Sequence, residues 1–584
     1  MKFNQVAVSF ERISQHTSRI EITKILAELF TSATPEESAI ISYFTLGSLR
    51  APYKGTQFNY AEKSMIKVVA TLIGQTLEEC KITMQTKGDI GSCIETSNWP
   101  YTDHNLSLSQ IYEQLYNFEV ISGLGSQEER SEFLKKLLIQ VDALSARFIV
   151  RIILGQLRLG FSDMTLLDAL SWMETGNKSL HDALEHAYNM CADIGLIAFT
   201  LKAKGVAGLE RIHPVIGIPI RPAAAERLPN AQAIIDKLGS CVAQPKLDGF
   251  RLQIHLDNTG ETPCIWFFSR NLIDMSAMFP DLVAVLKHVS VTNLIVEGEA
   301  IMFDEDRGAF VPFQETVKRK RKHDIEQMSQ EMPLRLYIFD ILYLNNASLL
   351  SLSHTQRRKI LIDTFGIPEE TDIVQVIAEQ KVDTGASLQA YFNQEISQGL
   401  EGVVVKRPES KYQPGKRNFN WIKLKRVQKG HLEDTIDAVV LGYNYGKGKR
   451  ASFGIGAFLV GVYNKSKDRF ETIAKVGTGL KDADLKDLKE RCDALVVPEK
   501  PHNVDVASEL TPDVWVDPKI VVVVLADEIT QSPLHTAGAS NDQNGLALRF
   551  PRFIGYSIDK SPEQATSIQE IKRMYQDQYL QKTK

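Results

Sequence analysis

A-Q-P-K-L-D-G-F-R-L-Q-I-H, residues 243–255, is the most informative segment of this sequence. Lys246 stands at the edge of a strand-like run, Asp248 follows two residues later, and Gly249 lets the backbone turn and approach a ligand closely. A lysine amine attacks phosphorus only when it is neutral, although the reference pKa of lysine is about 10.4. Burial and neighbouring cations lower such a pKa, so a catalytic Lys246 requires a pocket rich in other Lys and Arg side chains. Alone, the K-L-D-G string is more typical of a turn with a solvated lysine.

Five further segments follow this stretch in a fixed order. Taken singly, each has a structural interpretation: Phe339 would be core packing, and Glu299 and Glu401 would be solvated carboxylates at strand ends. An ordered series is far more specific than any of its members. The segments are F-F-S-R-N (residues 267–271), V-E-G-E-A (296–300), F-D-I-L-Y-L (339–344), E-G-V-V-V-K (401–406) and W-I-K-L-K (421–425).

The composition is that of an ordinary globular protein. The 584 residues are 43% hydrophobic and 24% charged, which excludes a disordered chain. At about 100–200 residues per domain, we expect three or four domains. The net charge of -5 excludes a uniformly basic surface, but nucleic-acid binding needs only a basic stripe, and residues 318–322 read K-R-K-R-K.

Cysteine usage and hydropathy indicate an intracellular protein with no membrane partner. The six cysteines are scattered and form no CxxC pair, which disfavours a structural zinc site and a secreted disulfide framework. The N-terminus lacks the apolar stretch of a signal peptide. The longest apolar run, residues 520–526, is too short to span a bilayer and reads as a buried strand.

The pattern along the chain predicts three domains. Residues 1–213 read as an all-α domain, with a capping box at Ser126 and Glu129 and a helix over residues 146–159. A proline-rich linker (212–222) then leads into a mixed α+β domain over residues 214–426. Short β-rich segments over 427–584 predict a small β-barrel of the OB-fold type, with strands over 436–445, 457–463, 470–476 and 515–527.

The ordered segments resemble the motifs of the covalent nucleotidyltransferases, which comprise ATP-dependent DNA ligases, RNA ligases and mRNA capping enzymes. Two further segments resemble ATP-dependent DNA ligases in particular. A-R-F-I-V-R-I-I-L-G-Q-L-R-L-G-F (146–161) is similar to their helical DNA-binding domain, and R-F-P-R-F-I-G-Y-S-I-D-K-S-P-E-Q-A-T (549–566) to their last motif. The resemblance covers nearly the whole chain and implies an all-α DNA-binding domain, an α+β adenylation domain and an OB-fold domain.

The resemblance assigns nucleotide-binding roles to seven residues that match the motifs. Lys246 is the nucleophile that takes AMP as a phosphoramidate. Gln244 stands where the family usually has Glu, and its amide oxygen can accept a hydrogen bond from the adenine amino group. Arg251 and Arg270 contact the nucleotide and the nick phosphate, Phe339 stacks on adenine, and Glu299 touches the ribose and helps to place a metal ion, with Glu401 as the second metal-associated carboxylate.

Basic residues complete the implied site. Arg417, Lys423 and Lys425 match the cations that neutralise the phosphates, in keeping with the need of phosphoryl transfer for positioning and charge neutralisation. The implied cofactors are ATP and Mg²⁺, with Mn²⁺ as an alternative, because hard cations prefer carboxylate and phosphate oxygens. The implied reaction has three steps: Lys246 attacks the α-phosphate of ATP, AMP passes to a 5′-phosphate at a nick, and the adjacent 3′-hydroxyl displaces AMP.

Two groups of basic residues are candidates for contact with DNA. For each group, the alternative is that the side chains are simply solvated. Arg147, Arg151 and Arg158 recur at spacings of four and seven, which is also the pattern of a solvated helix face. Arg319, Arg321 and Lys322 lie in the basic run, which is also typical of a solvated loop. The implied partner is nicked duplex DNA, the expected state is a monomer, and a sliding clamp is a candidate partner.

One departure from the family pattern concerns the first step. Ser557 stands two residues before Asp559 and Lys560, where the family commonly has an Arg that orients pyrophosphate. Lys560 or Arg552 could supply the cation instead.

Two of three rival functions remain open to test, and the NAD-dependent one is excluded. A capping enzyme or RNA ligase would share the lysine pocket but does not need a large helical domain. An NAD-dependent DNA ligase would carry a four-cysteine zinc site, which this chain lacks. A catalytically impaired DNA-binding relative would fit Ser557 but not the intact K-L-D-G, both glutamates and W-I-K-L-K.

Overall fold

The computed structural model describes the chain except at residues 96, 103, 156, 158, 305–308, 312–328, 330–331, 367–372, 426–434, 541–542, 558–559 and 581–584. The chain divides into two compact units. The first comprises Met1–Tyr60 and Thr102–Arg426, and the second comprises Ala61–Tyr101 and Val427–Lys584. The two units do not correspond to the three predicted domains, so the division into three domains stays a prediction.

The N-terminal region is helical, as the sequence predicts. Several helices begin with reciprocal caps; Thr34 and Glu37, for example, exchange hydrogen bonds across the first turn of a helix that has Pro35 at its first position. Helices α4–α6 belong to the second unit and the others to the first. The helices are α1 Phe3–Ser14, α2 Arg19–Ser32, α3 Pro35–Thr45, α4 Glu62–Ile73, α5 Leu77–Lys87, α6 Gly91–Glu95, α7 Leu108–Val120, α8 Ser126–Leu138, α9 Ala143–Ile153, α10 Asp163–Thr175, α11 His181–Met190 and α12 Ile194–Leu209.

Two details predicted for this region are wrong. The capping box at Ser126 does not form, because α8 begins at Ser126 and Gly125 is the N-cap, with a left-handed φ of 80° and no side chain to accept a hydrogen bond. Helix α9 begins at Ala143 and ends at Ile153, six residues before the predicted end. The Asp142 carboxylate caps it by accepting a hydrogen bond from the Ser145 backbone N–H at 3.0 Å.

Two sheets form the α+β part of the first unit. The first sheet has the strand order β1-β12-β11-β2-β10, and the second has the order β4-β3-β5-β7-β8, with β6 beside β5 and β9 beside β7. The strands are β1 Ala224–Arg227, β2 Cys241–Lys246, β3 Phe250–Asp257, β4 Cys264–Ser269, β5 Asn293–Asp304, β6 Ala309–Phe310, β7 Leu334–Leu344, β8 Ala347–Ser348, β9 Val374–Val376, β10 Gln380–Val382, β11 Gly402–Lys406 and β12 Arg417–Lys425. The helices are α13 Ala231–Leu238, α14 Pro280–Leu286, α15 His354–Phe365 and α16 Gly385–Ser397.

A buried cluster joins strands of both sheets. Tyr412 and Trp421 pack there with Ile295 and Leu342, and the partly buried Phe339 lies against them. Each sheet also has its own apolar core on its helix-covered side. The cluster between the sheets therefore combines aromatic and aliphatic side chains and is separate from the two outer cores.

The proline-rich linker is extended only in part, because it makes a tight turn at Val215–Ile218, where the Ile218 backbone N–H donates to the Val215 carbonyl oxygen at 3.1 Å. It is also hydrogen-bonded to strand β3. The Gly217 backbone N–H donates to His255 Nδ1 at 3.1 Å, so His255 donates from Nε2 to Gln253 Oε1 at 3.0 Å. Gln253 in turn exchanges two hydrogen bonds with the backbone of Ile220. His255 is fully buried, and burial lowers its pKa to about 3.

The second unit contains the β-rich C-terminal part. Strand β13 pairs with β14, β18 and β19, β14 pairs with β15, and β22 pairs with β19. The strands are β13 Ile436–Asn444, β14 Ala457–Asn464, β15 Arg469–Val476, β16 Val496–Val497, β17 Val504–Asp505, β18 Val514–Val516, β19 Val521–Leu525, β20 Glu528–Ser532, β21 Gly545–Arg549 and β22 Arg552–Tyr556, and the helices are α17 Asp482–Asp493 and α18 Ile568–Leu580.

The single strand predicted over residues 515–527 is divided into β18 and β19. Pro518 lies between them and has no N–H to donate to a sheet ladder, so the strand is interrupted there. Within the described residues, the strand pairings form an open path and do not close into a barrel. The OB-fold therefore stays a prediction.

No helix in the described part of the chain has the length and apolar character needed to cross a bilayer. All six cysteines are free thiols.

His255 predicts a specific pH dependence of stability. Because its folded pKa lies below its usual value of 6.5, the neutral ring stabilises the fold fully above pH 6.5, and this contribution is lost as the pH falls towards about 3. The loss from this one group amounts to about 1.4 kcal/mol per pH unit.

We expect His255→Gln, which can keep both hydrogen bonds without titrating, to reduce the slope of the free energy of unfolding against pH between pH 6.5 and 4.5. Chemical denaturation at a series of pH values measures this slope. His288→Gln, at an exposed position, should keep the wild-type slope. Equal slopes in wild type and His255→Gln would contradict the assignment.

Candidate active site

The strand register of the first sheet brings four polar residues to one face. In the ladder across β2, β11 and β12, Lys246 lies opposite Gly402, which lies opposite Lys425. Two residues along, Gln244 lies opposite Val404, which lies opposite Lys423. Because side chains alternate along a strand, Gln244, Lys246, Lys423 and Lys425 project from the same face of the sheet.

Glu401 binds the ends of these strands together. Its backbone N–H donates to the Lys246 carbonyl oxygen at 3.1 Å, and its carboxylate forms ion pairs with Lys246 Nζ and Lys425 Nζ. Burial alone would raise the pKa of Glu401, but the two ammonium groups hold it below its usual value. Glu401 is therefore an ionised carboxylate shared between two lysines.

Two glycines permit this close packing. Gly402, directly after Glu401, has a φ of 145° and touches the Leu424 carbonyl oxygen where a Cβ would stand. Gly249, in the turn after Lys246, approaches the Ala300 carbonyl oxygen in the same way. The neighbour that Gly249 approaches is strand β5, and the close approach to a ligand stays a prediction.

Glu299 of β5 is the second carboxylate. It accepts a hydrogen bond from the Gly249 backbone N–H at 3.1 Å, and it lies opposite Arg251 in the β3–β5 ladder. Burial raises the pKa of Glu299 to about 7, although Lys246 and Arg251 lower it. A cation near this carboxylate would offset the cost of keeping it ionised.

The predicted phosphate-binding cations lie within electrostatic reach of one another. Burial lowers the pKa of Lys423, and Lys425, Arg417, Lys246 and Arg270 lower it further. Arg417 and Arg270 are exposed, whereas Lys423 and Lys425 are partly buried. The structure therefore gathers four cations from three motifs, together with Arg417, into one positive region.

An aromatic pair with two cations lies between the sheets. Phe339 of β7 and Trp421 of β12 meet edge to face with ring centroids 6.1 Å apart. Lys406 Nζ lies 4.4 Å from the Trp421 centroid and 5.2 Å from that of Phe339, and the Arg251 guanidinium lies 5.5 Å from the Phe339 centroid.

Arg251 is held by a polar network that sequence reasoning missed. Its guanidinium donates to both oxygens of Glu297, at 3.2 and 3.1 Å, and the Tyr412 hydroxyl donates to the same carboxylate at 2.9 Å. Burial alone would lower the pKa of Arg251, but Glu297 raises it above its usual value. Glu297 is the first glutamate of V-E-G-E-A, two residues before Glu299, and that spacing was the available signal.

A second missed group surrounds Gln244. Its amide nitrogen donates to Glu379 Oε2 at 2.7 Å, and His354 Nε2 lies 2.8 Å from the same oxygen. Neither Glu379 nor His354 belongs to any motif in the sequence. Only the packing of α15 and the segment before β10 against β2 brings them to Gln244.

A cavity of about 460 Å³ adjoins the nucleotide-pocket arginines. Arg221, Arg251 and Arg270 line it, together with Asp163 and Tyr188 of the helical region. Arg221 lies 3.6 Å from the Asp163 carboxylate and stacks 4.9 Å from the Tyr188 ring centroid. The cavity therefore presents guanidinium groups towards the helical region.

Of the residues predicted to contact DNA, two are buried and four lie outside the described residues. Arg147 and Arg151 are buried, with exposures of 8% and 7%, and Arg147 forms an ion pair with Glu11 at 2.7 Å. The solvated-face interpretation of these arginines is therefore wrong, because both pack against Phe148. Arg158, Arg319, Arg321 and Lys322 lie outside the described residues.

The two cations that could replace the missing Arg at Ser557 are engaged in ion pairs. Arg552 pairs with Asp527 at 2.5 Å and Lys560 pairs with Asp437 at 2.5 Å, both within the second unit. Ser557 donates its backbone N–H to the Val521 carbonyl oxygen at 3.0 Å.

Comparison with protein families gives matches along most of the chain. The model of the DNA ligase N terminus matches residues 2–171, the ATP dependent DNA ligase domain matches 222–425, and the ATP dependent DNA ligase C terminal region matches 451–560.

Individual relatives agree with these matches. A protein named probable DNA ligase from Dictyoglomus turgidum is 41% identical over 584 residues, which is 100% of this chain and 99% of the relative. DNA ligase 2 from Thermofilum pendens is 37% identical over 596 residues, which covers 99% of this chain and 98% of the relative. The solved structure named Pmar-Lig_PreS3 shares the fold, with a TM-score of 0.53 at 16% identity over 94% of this chain and 99% of that one. The chain belongs to the ATP-dependent DNA ligase family.

Proposed function

We propose that this ligase seals nicks in duplex DNA through an AMP carried on Lys246. The observation that carries the proposal is the sharing of the Glu401 carboxylate between Lys246 and Lys425, beside Lys423 and in register across three strands. The Lys246 amine, the Glu401 carboxylate and a set of cations then meet at one end of the first sheet, and Glu299 of the second sheet adds a carboxylate within electrostatic reach of Lys246. The membership in the DNA ligase family disfavours the capping, RNA ligase and impaired-relative alternatives.

In the first step, Lys246 Nζ forms a bond to the α-phosphorus of ATP, and the bond to the leaving pyrophosphate breaks. The Lys246 ammonium loses one proton to solvent before the attack, and the nitrogen loses a second proton to solvent as it becomes the phosphoramidate. Lys423, Lys425 and Arg417 neutralise the phosphate oxygens, because the transition state of phosphoryl transfer spreads negative charge over them. Glu401 holds Lys246 at the strand end, so the amine is already oriented when the nucleotide arrives.

Glu299 and Glu401 are the residues that would hold a divalent metal ion. Carboxylate oxygens are the ligands that Mg²⁺ takes from proteins, and the raised pKa of Glu299 marks a carboxylate that lacks sufficient positive charge. When bound, Mg²⁺ or Mn²⁺ neutralises phosphate charge in the transition state.

The base of ATP would lie beside Phe339 and Gln244. The Phe339 ring supplies a stacking surface, and the amide of Gln244 supplies a hydrogen-bonding group on the same sheet face as Lys246. Arg251 would contact the nucleotide, and Arg270, which is exposed and in the same positive region, would contact the nick phosphate.

In the later steps, AMP moves from Lys246 to the 5′-phosphate at the nick, and the adjacent 3′-hydroxyl displaces AMP to form the phosphodiester. We infer that the helical region and the basic run with Arg319, Arg321 and Lys322 bind the duplex, that Arg147 and Arg151 fix the fold of the helical region, and that residues 427–584 form an OB-fold. We further infer a monomer that works inside the cell, where ATP and nicked DNA occur together, with a sliding clamp as a candidate partner.

Replacement of the nucleophile gives the most direct test. Lys246→Ala should abolish the covalent adduct, because no other group can form the phosphoramidate. In wild type, mass spectrometry after incubation with ATP should find an added mass of about 329 Da on Lys246, as covalent lysine catalysis requires. Lys411→Ala, at an exposed position, is the matched control and should retain the adduct. Nick sealing by Lys246→Ala would refute the proposal.

Replacement of the shared carboxylate tests the metal and positioning roles. Glu401→Gln should lower the rate of adduct formation by at least about a hundredfold, because it removes the negative charge that orients Lys246 and attracts the metal ion. The Mg²⁺ concentration that gives half of the maximal rate should rise as well. Glu409→Gln, an exposed glutamate after the same strand, should leave both quantities unchanged. A Glu401→Gln rate within threefold of wild type would rule out both roles.

The basic run can be tested through salt dependence. Arg319→Ala combined with Lys322→Ala should weaken binding to nicked duplex DNA and lower the steepness of log K against log[salt] by about 2, as expected for two lost phosphate contacts. Fluorescence anisotropy over a series of salt concentrations measures this slope. Lys359→Ala combined with Lys381→Ala, which removes two side chains that are 76% and 71% exposed, should leave the slope unchanged. An unaltered slope in the first pair would place the run away from the duplex.

A further inference from the structure

We propose that Glu379 is a positioning residue that selects adenine over guanine by fixing the orientation of the Gln244 amide. The inference rests on the proposed function, in which Gln244 meets the base of the nucleotide. It goes beyond that function because Glu379 belongs to no motif and touches neither Lys246 nor the phosphate-binding cations in any described contact.

The geometry around Glu379 is specific. One carboxylate oxygen, Oε2, receives the Gln244 amide nitrogen at 2.7 Å and His354 Nε2 at 2.8 Å. Gln244 is 1% exposed and His354 is 1% exposed, so neither interaction is weakened by bulk water. Both donors therefore depend on this single acceptor.

The orientation of the Gln244 amide follows from which of the neighbouring groups can donate a hydrogen bond and which can only accept one. An ionised carboxylate can only accept hydrogen bonds, so Gln244 must present its NH₂ group to Glu379. Burial alone would raise the pKa of Glu379, but His354, Arg358 and Lys406 hold it below its usual value, which keeps it ionised. The carbonyl oxygen of Gln244 is consequently the end that remains for a ligand, and no donor among the described residues occupies it.

This orientation distinguishes the two purine bases. Adenine carries an amino group, a donor, at the position where guanine carries a carbonyl oxygen, an acceptor. Gln244 Oε1 accepts a hydrogen bond from the adenine amino group. With guanine, Oε1 would face the carbonyl oxygen of the base, and two acceptors cannot form a hydrogen bond. A buried acceptor left opposite another acceptor costs the full desolvation of both groups, which is how binding sites reject near-identical substrates.

Replacement of Glu379 by a side chain without an acceptor should weaken this preference. In Glu379→Leu, no group holds the Gln244 NH₂ group, because both Gln244 and His354 donate to the one oxygen that this change removes. The Gln244 amide is then free to rotate and to offer its NH₂ group to the base. We expect the ratio of kcat/KM for ATP over GTP, measured as adduct formation on Lys246, to fall by at least about tenfold in Glu379→Leu, the equivalent of one hydrogen bond. Glu395→Gln removes another buried glutamate, whose partner is Tyr391, and should leave this ratio unchanged.

An exchange of the two side chains separates positioning from folding. Gln244→Glu alone places two carboxylates at hydrogen-bonding distance and should lower kcat/KM for ATP at least about tenfold, because like charges in contact repel. The exchanged protein, Gln244→Glu with Glu379→Gln, restores a donor opposite a carboxylate and should recover the ATP-over-GTP ratio to within about threefold of wild type. A merely structural role for Glu379 would not produce this recovery.

Each outcome decides between the two proposals. If wild type forms the Lys246 adduct but Glu379→Leu keeps the wild-type ratio, or if the exchanged protein is no better than Gln244→Glu, the role of Glu379 is overturned and the ligase mechanism stands. Should Glu379→Leu fail to fold, the comparison of Gln244→Glu with the exchanged protein still decides. If wild type forms no adduct at all with ATP, the proposed function itself fails.

Discussion

The contact on which the site depends is a single carboxylate shared by two lysines at the ends of neighbouring strands. The Glu401 carboxylate forms ion pairs with both Lys246 and Lys425. Its backbone N–H also donates a hydrogen bond to the Lys246 carbonyl oxygen at 3.1 Å. The like charges of the two lysines would repel one another at this spacing, and the carboxylate offsets that repulsion while a nucleotide is absent. Because the ion pairs are partly buried, salt screens them less than it would a surface pair.

Around this contact, buried polar groups form a second layer that orients the first. Glu297 and Tyr412 hold Arg251, Gly249 holds Glu299, and Glu379 holds Gln244. Arg357 and Asp340 form a fully buried ion pair at 2.7 Å, and Lys406 Nζ lies 3.9 Å from the same Asp340 carboxylate. Lys406 also donates a hydrogen bond to the Phe339 carbonyl oxygen at 2.9 Å. Such buried networks favour one arrangement of side chains, since each hydrogen bond that is broken leaves a donor or acceptor with a large desolvation cost.

The sequence was sufficient for the groups that lie on strands and recur in order. Lys246, Gln244, Lys423 and Lys425 could be predicted together because their segments resemble the ordered motifs of the family. The alternation of side chains along strands explains why the structure places them on one face. Glu379 and His354 could not, because their approach to Gln244 depends on how a helix and a short segment pack, and no local pattern encodes that distance. The burial of Arg147 and Arg151 was missed for a similar reason: the helical period identifies a face but not whether a neighbouring helix covers it. Pro518 shows the opposite case, where a local rule was available and a continuous strand was nonetheless expected.

The alignment of Lys246, Gly402 and Lys425 across three strands has a consequence for how this enzyme can change over evolution. Substitutions at these positions alter one side chain at a time, whereas the insertion or loss of one residue within β2, β11 or β12 would turn every following side chain of that strand to the opposite face. The nucleophile would then point into the aliphatic layer beneath the sheet. Chain length is therefore more tightly constrained here than residue identity, and natural length variation should be confined to the loops that join these strands.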